Sequence, residues 1–176
     1  MRIVLIAAQS IDGFISKHAE PGTAFTSPED KAHFRRTVAG FDVGVFGAGT
    51  YRVSREAIRA LTSPRRLLRV VMTRSPGRYA AESVPDKLEF SNAAPQALAD
   101  SLRSRGFERC ALLGGSQVHS AFLAAGLVDE VWLTVEPVLF GSGTPLLAHE
   151  ADVRMELDAT EKLGASTLLL KYRVIR

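Results

Sequence analysis

A short apolar run from Cys110 to Leu113 stops at Gly114-Gly115, and Ser116 opens a segment with apolar residues at Val118, Ala121, Phe122 and Ala125. That spacing is one face of an α-helix, so the unit reads as strand, glycine turn, helix. Two residues without Cβ let a ligand approach the backbone, and the free N–H groups of a helix start favour an anion. Gly114, Gly115, Ser116, Gln117 and Val118 are therefore candidates for a phosphate-binding turn. The diglycine alone reads equally well as a tight strand–helix joint. Two further loops follow short apolar runs: Gly47-Ala48-Gly49-Thr50-Tyr51, and Thr73-Arg74-Ser75 after Val70-Val71-Met72. In open α/β sheets ligands gather at the carboxyl ends of parallel strands. Gly47, Gly49 and Thr50 would then form a second backbone cradle, and Thr73, Arg74 and Ser75 would add a guanidinium and two hydroxyls. Arg52 stands where a third glycine would complete G-x-G-x-x-G, which disfavours an ordinary Rossmann domain.

Acids and polar groups come from two other places. Gln9-Ser10-Ile11-Asp12-Gly13 follows the first apolar run; Asp12-Gly13 alone is a turn pair, while a site there would draw polar contacts from Gln9, Ser10 and Asp12. Glu136 precedes Pro137 at a strand end, facing either a cleft or solvent. His18, His33, His119 and His149 lack metal-ligand spacing, so no metal is expected, and His33 and His119 are expected on solvent faces of helices. No orienting acid is legible for a Ser–His pair.

The elements that must position these residues follow from pattern and punctuation. Arg2 to Gln9 is an almost continuous apolar run, as in a strand covered on both faces. Ser27-Pro28-Glu29-Asp30 combines an N-cap, a first-turn proline and acids near the positive helix end. The helix it starts runs to about Ala39 and is expected to bury Phe34 and Val38. A strand over Asp42–Phe46 leads to a helix from Thr50 with Val53, Ala57 and Leu61 inward, broken at Ser63-Pro64. Strands at Leu68–Thr73 and near Leu88–Phe90 precede a helix from about Pro95 to Arg105, with Leu98 and Leu102 facing in. Val131, Leu133 and Val135 alternate with Trp132, Thr134 and Glu136 as a half-buried strand does. Val153, Met155, Leu157 and Ala159 alternate strictly, and with Thr167–Ile175 they form an antiparallel hairpin. The whole is a mixed α/β sheet flanked by helices, in one domain over residues 1–176.

Composition bounds the partners. A hydrophobic content of 46% argues against disorder. No apolar run approaches the ~20 residues that cross a membrane. MRIVLIAAQSIDG runs straight into a polar loop, so it reads as a buried strand and not a signal peptide. The single Cys110, inside an apolar strand, suits a reducing compartment, with cytoplasm the default. The net charge of +3 comes from dispersed basic residues without interleaved aromatics, which argues against nucleic acid and suits phosphate-rich small molecules.

LLGG, GLVDEVWLTVEPVLFGSGTPL, SIDGFI and GAGTY together span nearly the full chain. The sequence so marked resembles the dihydrofolate-reductase-like family, most closely the reductase (C-terminal) domain of the bacterial riboflavin-pathway deaminase–reductases and its stand-alone relatives. The resemblance implies a three-layer reductase fold and NADPH. The diglycine turn would hold the pyrophosphate, the residues after the third strand would hold the adenosine phosphate, and the Gln9–Gly13 loop would lie along nicotinamide and substrate. Arg74 suits a 2′-phosphate through bidentate contacts, and Asp12 and Glu136 become the candidate proton donors. The stand-alone relatives imply a homodimer, for which the β-rich tail offers an edge. Two positions depart from the riboflavin-pathway enzyme. Ser54 stands where that enzyme has an acid within a D-P segment, and Leu113 stands where Glu usually precedes the diglycine; both argue against the ribosylaminopyrimidine substrate. The proline–tryptophan pair of true dihydrofolate reductases is missing, with Glu29 and Asp30 only at the helix start, which argues against folate, and no deaminase zinc motif is present. The expectation is an NADPH-dependent reductase of a small heterocyclic or carbonyl-bearing acceptor. The competing expectation is a catalytically inactive NADP(H)- or nucleotide-binding protein of the same fold.

Overall fold

The computed structural model describes residues 1–60 and 67–176. Its elements in chain order are β1 (Arg2–Ser10), α1 (Pro28–Val38), β2 (Val43–Gly47), α2 (Ala48–Ala60), β3 (Leu68–Met72), a 3-10 helix (Pro76–Glu82), β4 (Leu88–Ser91), α3 (Pro95–Ser104), β5 (Arg109–Leu112), α4 (Ser116–Ala124), β6 (Glu130–Glu136), β7 (Met155–Lys162) and β8 (Leu168–Val174). The expected Leu61 contact and Ser63-Pro64 break lie outside the described residues.

The strands form one sheet in the order β4-β3-β2-β5-β1-β6-β8-β7. All pairs from β4 to β6 are parallel, and β8 and β7 add antiparallel strands. β3, β2 and β5 are adjacent, so the three loops that follow them emerge side by side at one end of the sheet. On one face the apolar positions of β1, β2, β3 and β5 pack against Leu98, Leu102, Val118 and Phe122 of α3 and α4. On the other, Val4, Ile6 and Ala111 pack against Val38 and Phe41. Cys110 lies in the first of these cores, and burial pushes its thiol up to about 12, so it is no nucleophile.

Several expected burials differ for a common reason. Phe34 of α1 and Val53 and Ala57 of α2 are exposed. They still face the protein, across a cleft that separates α1 from α2. The residues of α2 that reach the core are Tyr51 and, in part, Ala48 and Ile58, and the helix is interrupted by non-helical geometry at Ser54. On β6 the polar side is the buried one: Thr134 and Glu136 are covered by the segment that caps α1 and by β8, while Leu133 and Val135 are half-buried. The alternation of β7 is interrupted by a register shift between Leu157 and Ala159, and this strand forms the exposed sheet edge.

His119 is not on a solvent face. It is 1% exposed, because α4 is sandwiched between the sheet and the segment that follows β6, and its Nδ1 pairs with the Leu146 carbonyl at 3.0 Å. Burial pulls its pKa down to about 4. His33 is half-buried on the cleft side of α1 and pairs with Thr37 Oγ1 at 3.1 Å. Among the described residues no group of three or more His, Cys, Asp or Glu is placed to hold a metal ion, and no helix is long and apolar enough to cross a membrane.

Candidate active site

A cleft of about 1900 Å³ runs over the carboxyl ends of the parallel strands and down between α1 and α2. It is larger than the roughly 300–1,000 Å³ of a single small-ligand pocket and leaves room for two ligands. One arm gathers Gly47, Gly49 and Thr50, Thr73 and Arg74, and Gly114 to Val118. The two glycine turns touch. Gly47 N–H donates to the Gly114 carbonyl at 2.7 Å, and a Cβ on Gly47 would stand 3.2 Å from Val118 Cγ2. Gly114 has φ +108, a conformation that L side chains rarely adopt. Thr50 Oγ1 lies 3.5 Å from where a Cβ on Gly115 would be. No side chain caps the start of α4, and its first intrahelical bonds are made by Val118 and His119 to the Gly115 carbonyl. The N–H groups of Ser116 and Gln117 at this turn are thus left for an external acceptor. Arg74, just beyond the end of β3, is exposed, lines the cleft and joins none of the ion pairs among the described residues. Ser75 does not line the cleft; its N–H donates to Thr73 Oγ1 at 3.2 Å and closes the turn.

The second arm is lined by Ala7, Ala8, Ile15, Ser16, Thr26, Asp30, Phe34, Val38, Val53, Thr134 and Thr144. Gln9, Ser10, Asp12 and Glu136 are not among its walls, so the two expected acids are placed elsewhere. The Asp12 carboxylate is a loop fastener. It accepts from Ser10 Oγ at 2.6 Å, from Gly141 N–H at 2.6 Å and from Phe140 N–H at 3.1 Å. The Ser10 hydroxyl, with help from those two amides, holds it below its ordinary value. Glu136 is 2% exposed and accepts from Ser27 N–H at 2.7 Å, Ser27 Oγ at 2.9 Å and Thr167 Oγ1 at 2.8 Å. It ties α1 to β6 and β8.

The acid in the cleft is Asp30. It is 7% exposed, in the first turn of α1, and its N–H donates to the capping Ser27 Oγ at 3.1 Å. Burial raises its pKa, opposed by the nearby Thr134 and Thr26 hydroxyls and assisted by the nearby Glu136 charge. The signal for it was present in the sequence: Asp30, Phe34 and Val38 follow at steps of four, so the acid shares the face on which Phe34 and Val38 look inward.

The family model described as the RibD C-terminal domain matches residues 2–169. The chain belongs to this family. The chain is similar to the uncharacterized protein YwjB of Bacillus subtilis (strain 168), 29% identical over 96% of this chain and 95% of that protein. Among solved structures, the diaminohydroxyphosphoribosylaminopyrimidine deaminase/5-amino-6-(5-phosphoribosylamino)uracil reductase of Thermotoga maritima superposes with a TM-score of 0.81 at 18% identity, covering 99% of this chain and 56% of that one. A pyrimidine reductase-like protein of Corynebacterium diphtheriae gives 0.77 at 18% identity, covering 99% and 92%. At such identities these two likenesses establish the mixed α/β RibD reductase fold.

Proposed function

We propose that this RibD C-terminal protein is an NADPH-dependent reductase of a small heterocyclic or carbonyl-bearing acceptor. The observation that carries the reading is one cleft with two unlike regions: glycine turns with free N–H groups and Arg74 at the strand ends, and a region of mixed apolar and hydroxyl side chains that holds one buried carboxyl. The residues fit the dinucleotide. The pyrophosphate suits the N–H groups of Ser116 and Gln117 and the Thr50 hydroxyl, against Gly47 and Gly115, which leave the backbone bare. Arg74, with no carboxylate of its own, suits the 2′-phosphate. When bound, NADPH supplies a hydride. The chain must align the two reactants, exclude water and deliver one proton. Ala7, Ala8 and Ile15 form a dry floor and wall for that alignment. Asp30 is the proton donor of this reading: it lines the cleft, and burial keeps its carboxyl protonated to higher pH than an ordinary aspartate.

Calorimetric titration tests the reading. NADPH should bind in the micromolar range with NADH weaker, and Arg74→Ala should narrow that preference by roughly 1–3 kcal/mol, the worth of a charge-assisted contact. Equal affinity of the unchanged protein for both dinucleotides defeats the cofactor assignment. Binding without oxidation of NADPH across a broad acceptor panel would favour a non-catalytic binder.

The same reading includes a homodimer joined along β7. This strand has a free edge, and Met155, Leu157, Leu168 and Ile175 are exposed on and beside it. Replacing Leu157 by Lys should shift the protein to monomer in sedimentation; a monomeric unchanged protein would refute the dimer.

A further inference from the structure

Thr134 and Glu136 alternate with Val135 on β6, so both point to one side of the sheet, where they are buried at 4% and 2% exposed. Against that side lies the start of α1. Thr134 is near the Asp30 carboxyl and lines the cleft, while Glu136, off the cleft, reaches the residue that caps the helix. Ser27 joins the two acids. Its Oγ donates to Glu136 Oε1 at 2.9 Å and accepts the Asp30 N–H at 3.1 Å, and its own N–H donates to the same Oε1 at 2.7 Å. Giving its hydrogen to Glu136 leaves the lone pairs of the hydroxyl for the helix. Thr167 Oγ1, just before β8, donates to Oε2 at 2.8 Å. A serine cap works in water without any of this. The buried acid beneath it is more than the cap requires.

The charges around Asp30 show what that acid adds. His33 lies about one turn along α1, and Lys31 and Arg35 of the same helix, Arg52 of α2 and Arg69 of β3 line the cleft. Each of these cations, and His33 when charged, favours an ionised Asp30, which would have no proton to give. Burial does most to oppose them, and the charge of Glu136 adds to it. No ion pair among the described residues includes Glu136. Like charges in one buried region are costly, and a proton on one of the two acids avoids them. The three donors on Glu136 suit a carboxylate, whereas the Thr134 and Thr26 hydroxyls near Asp30 can accept a proton as well as donate one.

We propose that Glu136 is a positioning residue for Asp30: through Ser27 it fixes the helix start that aims this acid into the cleft, and through its charge it holds the acid in its proton-bearing form. The role of Asp30 as donor rests on the reductase reading; the pairing of the two carboxyl groups does not. The unliganded protein, isotope-labelled at its aspartate carboxyl carbons, is titrated with pH by NMR, and Asp30→Asn identifies the signal. Glu136→Gln keeps an oxygen for Ser27 and offers Thr167 Oγ1 an N–H, so the cap stays and the charge goes. The Asp30 midpoint should fall by at least about half a pH unit in this variant, which a purely structural Glu136 would not cause. Ser27→Ala keeps the charge and breaks the hydroxyl link, and exchange of the Asp30 amide hydrogen should quicken at least about tenfold. If Glu136→Gln does not fold, Glu136→Met carries the same comparison. An Asp30 midpoint at or below that of an ordinary aspartate in the unchanged protein would overturn the proposal. So would a midpoint unmoved in the Glu136 variant, an exchange rate unmoved in Ser27→Ala, or loss of folding in both Glu136 variants. With an acceptor in hand, the fall of the rate with rising pH should begin lower in Glu136→Gln by as much as the midpoint moved, with the KM for NADPH unchanged. A rate profile that stays put while the midpoint moves would overturn the positioning role and take Asp30 out of the chemistry. A moved midpoint in a protein that binds no NADPH would overturn the reductase reading and leave the pairing standing.

Discussion

Gly115→Val tests the proposed dinucleotide cradle separately from the fold that carries it. Gly115 has φ −87 and ψ −162, extended backbone in which a β-branched residue is at ease. A Cβ there meets nothing nearer than Thr50 Oγ1 at 3.5 Å, an ordinary contact. The two γ-methyls then occupy the space between Thr50 and the start of α4, where phosphate oxygens would accept from Ser116, Gln117 and Thr50. Charge-assisted contacts of this kind contribute about 1.5–3 kcal/mol each. Loss of two costs about 3–6 kcal/mol, or roughly 10²–10⁴ in Kd. Calorimetry with NADPH measures the affinity, and urea unfolding should place the stability within about 1 kcal/mol of the unchanged protein. A folded variant that binds NADPH as before would show the turn to be a strand–helix joint only. Gly114 is the wrong position for this test, because its φ of +108 strains any side chain before a ligand is considered.

Asp30→Asn should lower the rate of the chemical step by about 10²–10⁴ with NADPH affinity unchanged, measured in single turnovers once an acceptor is found. Because the Asp30 pKa is raised, the protonated donor persists above the ordinary aspartate range, and the rate should fall as pH rises through that raised value; a pH-independent rate would remove Asp30 from the chemistry. The same shift makes its contribution to stability complete below the unfolded pKa and lost as pH climbs through the folded one. Glu136→Ala should leave the Ser27 N–H and Thr167 hydroxyl without their buried acceptor and cost about 3–5 kcal/mol in urea unfolding. A loss under 1 kcal/mol would mean that water replaces the carboxylate.

The order and type of the elements were legible because the punctuation is strong. Ser27-Pro28 starts α1, Gly114-Gly115 separates β5 from α4, and the three glycine or hydroxyl loops do meet at the ends of adjacent parallel strands. The acids were less legible. Asp12 and Glu136 have the right type at loop and strand ends, but a carboxylate's role depends on which donors surround it. The amides of Phe140 and Gly141, which hold Asp12, are more than a hundred residues away in sequence. Asp30 read as a helix-start charge, because periodicity tells which face a residue is on and not whether that face meets a core or a cleft. Arg69 was hidden inside an apolar strand, where the residue pattern does not tell that its face of β3 lines a cleft.

The segment after β6 is fastened on two sides. Asp12 holds Phe140 and Gly141, Ser16 holds Thr144, and on the far side His119 holds Leu146 while Ser120 Oγ accepts from Ala148 and His149. The loop beyond β1 and the helix behind the diglycine turn are thereby clasped by a single strap. A fluctuation that lifts the strap loosens both arms of the cleft together, so the amide hydrogens of Gly141, Thr144 and Ala148 are expected to exchange with solvent through one shared opening. Whatever binds in one arm and steadies the strap would lower the entropy left to lose in the other, so that ligands of the two arms would be coupled without any residue that touches both.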